Sequence, residues 1–255
     1  MYSSVSRGLQ IIEILAKEQR PLGLTEIAQR LGTSKSGVHA LLATLVRSGF
    51  AERGTGGIYR LGMKAWEIGR AVPAATLVRV AAPLMDELVT EVKEGAILGI
   101  LDGAEVVYVH LAESAQAVRV HASVGDRIPA HCTSTGLALL ATQDDAYVER
   151  VLPRKLTAFT PQSIVDRREL LSELRRIRAR GYAINRGGWR SDVGGVAVQI
   201  NDSRGALCAG LCIAAPLYRM TKPWLARSAP RLLRAATAIA AAMSATPVAV
   251  RRVAA

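Results

Sequence analysis

Apolar positions fall at helical spacing through the N-terminal part of this chain and change to a strand-like rhythm beyond it. Leu9, Ile12, Leu15 and Ala16 share one face of a helix expected over residues 4–17. Ile27, Ala28 and Leu31 repeat that spacing, Gly32-Thr33-Ser34 interrupts it, and Val38, Leu41, Leu42, Leu45 and Val46 resume it. Ser34 is placed to cap the later helix, its hydroxyl accepting a first-turn N–H. Glu26, three residues after Gly23, makes a partial capping box at the earlier one. A short helix, a glycine-containing turn and a second amphipathic helix are the parts of a helix-turn-helix. Residues 50–53 and 58–61 then read as two short strands around Gly54-Thr55-Gly56-Gly57, a hairpin wing beside the helices. A linker helix is expected over residues 62–71, closed at Val72-Pro73. The domain boundary is therefore placed there: residues 1–71 as a winged helix-turn-helix with its linker, residues 72–255 as a second domain.

Past a helix striped by Leu77, Ala81, Leu84, Met85, Leu88 and Val92, strands take over. Residues 96–101 and 105–110 flank Asp102-Gly103, a strong hairpin signal. Residues 117–121 predict a third strand, and Gly125-Asp126-Arg127 a turn. The small residues 131–135 lead into a helix over 136–141. Residues 166–180 form a basic amphipathic helix on Leu170, Leu171, Leu174 and Ile177, ended by Gly181. Its outward arginines are expected to be a solvated face. Residues 182–185, 193–200 and 206–214 supply three more strands, the last two joined by a turn at 201–205, and a helix over 224–244 closes the chain. Its alanine-rich stretch, 235–243, reads as a packed helix face. Hairpins with helices at the ends indicate an α+β second domain on an antiparallel sheet.

Charge supports one partner without locating it. The chain carries a net +12, which suits a polyanion. Residues 1–70 hold ten Lys and Arg against five Asp and Glu, and the rest of the surplus lies beyond them. The motif is the better guide. From Leu31 through Ala51 there is no acidic residue, and Ser34, Lys35, Ser36 and His39 are small or basic donors on the exposed face of the second helix of the motif. That helix is expected in a DNA major groove, with Arg53, Tyr59 and Arg60 of the wing on phosphate or minor groove, and Arg7 and Thr25 as further DNA contacts. Lys35, Ser36 and His39 are the expected readers of base edges.

Other chemistry is poorly supported. His131 and Cys132 are neighbours on an extended stretch and point to opposite sides, so the histidine is badly placed to activate the thiol. The C-T-S-T-G around Ser134 lacks the first glycine of a nucleophile elbow. Four histidines and three cysteines form no metal-ligand spacing, and no phosphate loop or dinucleotide fingerprint occurs, so no metal or cofactor is expected. Cys208 and Cys212 lie on one strand, about 13 Å apart by strand rise, too far for a shared zinc or a disulfide. An odd number of cysteines without a secretory segment suits reduced thiols in a cytoplasm, and no run is long enough for a membrane helix.

The segments SVSRGLQIIEIL, LTEIAQRLGTSKSGVHALLATL, GFAERGTGGIYRLG, GDRIPAHCTSTGLALLA, GYAINRGGWRSDVGGVAVQI and ALCAGLCIAAPLYRM, taken in order, resemble the IclR family of bacterial transcriptional regulators. Gly37 and Ala40 depart from the Thr and Arg that many members carry there, so the resemblance does not extend to an operator sequence. It implies a GAF-like effector domain, a connector over residues 62–92 that contributes to dimer contacts, and dimers that pair into tetramers. It also implies a small effector against the loop that opens the helix after the G-x-x-x-P segment. The matching positions are His131, Ser134 and Thr135, with Asn185, Val196, Ala197, Cys212 and Ala214 as the remaining wall. Several wall positions are less acidic or less polar than is common in the family, which points to a carboxylic acid with an apolar or aromatic body. Two other classes stay open at this stage: an architectural DNA-binding dimer without an effector, and an enzyme fused to a DNA-binding domain.

Overall fold

The structure, a computed structural model, describes residues 4–18, 20–201 and 208–245. It divides into two compact units, Met1–Ala75 and Thr76–Ala255. The first unit runs α1 (Ser4–Lys17), β1 (Leu22–Gly23), α2 (Leu24–Leu31), α3 (Lys35–Arg47), β2 (Ala51–Arg53), β3 (Ile58–Leu61) and α4 (Met63–Gly69). Its three strands form an antiparallel sheet in the order β1-β3-β2. Two-residue β1 has no period of its own to betray it in the sequence.

Ile11, Leu15, Ile27, Val38, Leu42 and Tyr59 meet in one core. The buried face of α1 is that of Ile11 and Leu15, and Leu9 is 55% exposed. α1 carries apolar residues on more than one side, and packing against α2, α3 and β3 selects between them. Ser34 caps α3 as its chemistry requires, its Oγ accepting from Gly37 N at 3.3 Å. No capping box forms on α2, because Gly23 has no side-chain oxygen to complete it. Glu26 pairs instead with Arg20 at 2.5 Å and Arg30 at 3.1 Å. Gly62 N donates to Phe50 O at 2.8 Å, tying the end of the wing to the turn after α3. α4 leaves Met63, Trp66 and Ile68 exposed and buries no residue fully.

The second unit contains α5 (Pro73–Val92), β4 (Gly95–Asp102), β5 (Glu105–Ala112), β6 (Arg127–Pro129), α6 (Ser134–Leu140), α7 (Asp145–Val151), α8 (Arg167–Arg180), β7 (Ala183–Arg186), β8 (Val193–Asn201), β9 (Cys208–Pro216) and α9 (Lys222–Ala245). The sheet order is β6-β5-β4-β9-β8-β7, antiparallel throughout. Period-two alternation assigns its faces. Val196, Val198 and Ile200 of β8 join Leu211 and Ile213 of β9 in a core with α5 and α9. Ala197, Cys212 and Ala214 face the other way, into a core with α6 and α8. The sheet is thus buried on both sides, which explains why its strands read as continuous apolar runs. The Asp102-Gly103 turn forms as expected, with Asp102 opposite Glu105 and Gly103 at φ 60°.

One expectation needs correction, and one helix is new. Residues 117–121 are not a strand, because β6 pairs with β5 at Val106↔Ile128 and the segment before it runs free of regular structure. α7 went unread; Asp144 caps it, but only Val148 is buried, too little for a visible stripe. Arg168, Arg175, Arg176 and Arg178 of α8 are exposed, a solvated face that also makes bonds within the domain. Arg178 donates to the carbonyls of Ala141 and Gln143, Arg175 and Arg178 meet Asp145, and Arg176 and Arg180 meet Glu173. The expected turn at 201–205 lies almost wholly outside the described residues. Among the described residues, no single helix is long and apolar enough to cross a membrane.

Candidate nucleic-acid interface and ligand cavity

α3 presents Lys35, Ser36 and His39 to solvent, and Arg7, Thr25, Ser34, Arg53 and Arg60 are likewise exposed. Ser34 Oγ is already engaged as the helix cap, with Ser36 Oγ 3.2 Å away. The two wing arginines differ. Arg60 is neutralised by Glu52, with contacts of 2.6 and 2.7 Å, whereas Arg53 has no carboxylate partner among the described residues and lies over the Tyr59 ring at 6.0 Å. Tyr59 is the exception among the expected contacts. It is only 4% exposed and packs in the core. Alternation on β3 turns Arg60 outward and therefore Tyr59 inward.

In the second unit a cavity of about 120 Å³ opens beside α6, between the sheet and the irregular segment after β5. Its floor is built by local chemistry. A 3₁₀ turn at Ala130–Cys132 leads to Thr133, whose Oγ1 accepts from Gly136 N at 3.0 Å and starts α6. Ser134 and Thr135 thereby face inward, and Ser134 Oγ lies 3.2 Å from Cys212 Sγ. Gly195 of β8 keeps this floor open, since a Cβ there would fall 2.6 Å from Ser134 Oγ and 2.9 Å from Cys212 Sγ. Ile97, Tyr108, Ile128, Val193 and Ala214 form an apolar waist. At one side Asn185 Oδ1 accepts from Gly188 N at 2.9 Å, a bond that fixes the amide orientation and leaves Nδ2 as a donor. Exposed Arg190 and His121 stand at the rim, with Asp126, whose Oδ2 is held by Ser123 N at 2.8 Å.

Of the expected wall residues, Ser134, Thr135, Asn185, Cys212 and Ala214 line this cavity. His131, Val196 and Ala197 do not. His131 Nε2 bonds the Thr157 carbonyl at 3.0 Å, and its ring faces Phe159, which packs on the cavity's Trp189 at 4.5 Å. It supports the wall from behind. Val196 lies on the opposite face of the sheet, as alternation from Gly195 demands, and Ala197 is packed under α6.

Both cavity cysteines are held as thiols. Burial pushes Cys132 up to about 12 and Cys212 up to about 11, the second moderated by hydrogen bonds from Ser134 and Thr135. Burial also raises Tyr108. These groups are not poised to be nucleophiles, and no group of three metal-ligating side chains occurs among the described residues. The sign of the pH effect follows. Folding favours the protonated thiols, so their contribution is intact below the ordinary thiol range and is lost as pH rises from about 9 through 12. Thermal melts between pH 8 and 11 should fall, and the fall should be smaller for Cys132→Ala. An unchanged slope in that variant would show that Cys132 is not the titrating group.

Two family models match the chain, the IclR helix-turn-helix domain over residues 4–54 and the bacterial transcriptional regulator IclR C-terminal domain over residues 69–241. The chain belongs to the IclR family. The regulator XynR of Escherichia coli K12 is 32% identical over 94% of this chain and 96% of its own. KdgR of the same organism is 34% identical over 94% and 93%. An IclR homologue from Microbacterium hydrocarbonoxydans, solved with 4-hydroxybenzoate, superposes with a TM-score of 0.84 at 29% identity, over 96% of this chain and all of that one. The chain is therefore a DNA-binding transcriptional regulator of the IclR family, with a helix-turn-helix domain and an effector-type C-terminal domain.

Several cavity residues escaped the sequence reading. Cys132 and Thr133 lie within the 131–135 segment beside the expected positions, and Gly194-Gly195 carry a signal as paired glycines inside a strand. Tyr108, Val120 and Trp189 carried none, since distant contacts alone bring them to the cavity.

Proposed function

We propose that the protein regulates transcription in response to a carboxylic acid with an aromatic or apolar body. Inserted in the major groove, α3 reads operator bases through Ser36 and His39, while Lys35 and the wing arginines hold phosphate. The acid occupies the cavity of the second unit. One observation carries the ligand class: a waist of apolar groups ends on hydrogen-bond donors with no buried Lys or Arg among them. Gly136 N and Leu137 N are engaged by Thr133, so Ser134 and Thr135 offer their own amides and hydroxyls, and Asn185 Nδ2 adds another donor. At about 120 Å³ the space is close to the ~150 Å³ apolar cavities that admit benzene. The relative solved with 4-hydroxybenzoate supports the same class. The regulator acts as a homodimer or as a tetramer made of two dimers, in keeping with helix-turn-helix proteins that read paired half-sites and with the exposed Met63, Trp66 and Ile68 of α4.

Calorimetric titration tests the ligand. 4-Hydroxybenzoate should bind at least tenfold more tightly than its neutral amide, and short acids such as glyoxylate more weakly than either. Thr135→Val, which removes one hydroxyl at constant shape, should weaken the acid about tenfold, the loss of a bond to a charged group. Tighter binding of the amide, or an acid affinity indifferent to Thr135→Val, would rule out this reading of the cavity.

A further inference from the structure

The segment between β5 and β6, residues 113–126, has neither helix nor strand, yet Val120, His121 and Ala122 wall the ligand cavity. The same three residues also wall a second, smaller cavity, and Ile97 and Ala214 line both. The strap is therefore common to the walls of both cavities.

Its two ends are fastened well. Buried Ser114 donates from Oγ to Lys93 O at 2.9 Å and accepts from Gln116 N at 3.2 Å. At the far end Gly125 N donates to Tyr108 O at 2.7 Å and Tyr108 N to Asp126 O at 3.0 Å. Between them, among the described residues, no backbone hydrogen bond ties residues 119–122 to the sheet. The middle is held from outside: Arg219 Nη2 donates to Val118 O at 2.6 Å. Arg219 is itself aimed by a two-pronged pair with Glu94, Nε to Oε1 at 2.5 Å and Nη2 to Oε2 at 3.0 Å. Glu94 is only 3% exposed, so the guanidinium is what makes its charge tolerable there. It follows Lys93, a non-glycine residue held in the left-handed region at φ 61°, whose N–H closes the last turn of α5 on Val89 O. Strained backbone of this kind persists where the surroundings over-determine it, and it recurs at clamps and switches.

We propose that Arg219, aimed by Glu94, is a positioning residue that clips the Val120–Ala122 strap shut over the cavity. Release of the clip lets a ligand pass and joins the two cavities. Because Glu94 stands at the end of α5, the helix by which the chain leaves its DNA-binding unit, the state of the strap and the end of that helix are set by one ion pair. The ligand part of this proposal rests on the cavity being the effector site; the clip does not.

Cys132 and Cys212, both buried in the cavity, serve as reporters that need no ligand. The ligand-free full-length protein, with Cys208 replaced by Ala so that Cys132 and Cys212 are its only thiols, is treated with a small methanethiosulfonate, labelling of the two is read by mass spectrometry, and hydrogen exchange is followed over residues 117–122. Arg219→Gln should speed labelling of both cysteines and exchange of the strap about tenfold or more, while exchange over residues 196–200 in the core of the sheet stays as in the wild type. Arg219→Lys, which keeps the charge but not the fork, should fall between, and it stands in if the glutamine variant does not fold. Labelling and exchange unchanged in these variants would overturn the proposal, as would an equal rise over residues 196–200. With 4-hydroxybenzoate as probe, its dissociation should quicken about tenfold in Arg219→Gln, and an unchanged rate would overturn the gate. Should the wild type bind no ring acid, the ligand reading fails while labelling still decides the clip.

Discussion

Gly136→Ala is expected to abolish acid binding and to lower the melting temperature of the second unit by roughly 6–12 °C, a cost of about 3 kcal/mol in a unit of this size. The reason is local. Gly136 is buried in the first turn of α6, and a Cβ there would overlap the Ala130 carbonyl oxygen and Cα and lie 2.6 Å from the Ala130 carbonyl carbon. These are backbone atoms of the 3₁₀ turn, with no flexible tip to move aside. Relief requires the turn and the helix to part, which would break the Gly136 N to Thr133 Oγ1 cap and swing Ser134 and Thr135 off the floor. Scanning calorimetry and titration with 4-hydroxybenzoate check the two effects together. Hydrogen exchange in α2 and α3, which share no core residue with α6, should not change. Wild-type melting with wild-type affinity would mean that the turn yields freely and that the floor is not built as described.

That glycine shows where the sequence could and could not be read. The helix-turn-helix was legible because each of its parts is local: a stripe of apolar residues, Gly32 at φ 62°, and Ser34 with its cap bond three residues on. Five of the six strands of the sheet, all but β6, were legible because both of its faces are buried, and the turn at Gly103 announced itself. Residues whose surroundings come from far along the chain were not. His131 sits among polar small residues and still turns to Thr157, 26 positions away. Residues 117–121 have the composition of a strand, but the edge of β5 is taken by β6, so they cross the cavity as a strap instead. The necessity of Gly136 depends on how closely Ala130 returns to it, which no local pattern carries.

Lys35→Glu is expected to weaken specific DNA binding by about a hundredfold near 0.1 M salt. A single phosphate contact carries roughly a tenfold effect between 0.1 M and 1 M salt, and reversal of the charge adds repulsion of similar size. Lys35 opens α3, is exposed and forms no ion pair among the described residues, so its whole charge is available to phosphate. The wing should then separate into two classes. Arg53→Ala should reduce the salt slope by about 0.9, the share of one contact. Arg60→Ala should do less, because Glu52 at 2.6 Å already offsets that guanidinium, and Glu52→Gln should strengthen binding by releasing it. His39→Ala should change which base is preferred and leave the salt slope alone, since a base-edge contact carries sequence rather than counterion release. Duplexes selected from a random pool serve as the specific sites, with the unselected pool as the non-specific reference, across a salt series. Equal losses on both pools for His39→Ala would place α3 outside the groove. Equal slopes for Arg53→Ala and Arg60→Ala would show that the Glu52 pair breaks on binding and that both arginines reach the backbone.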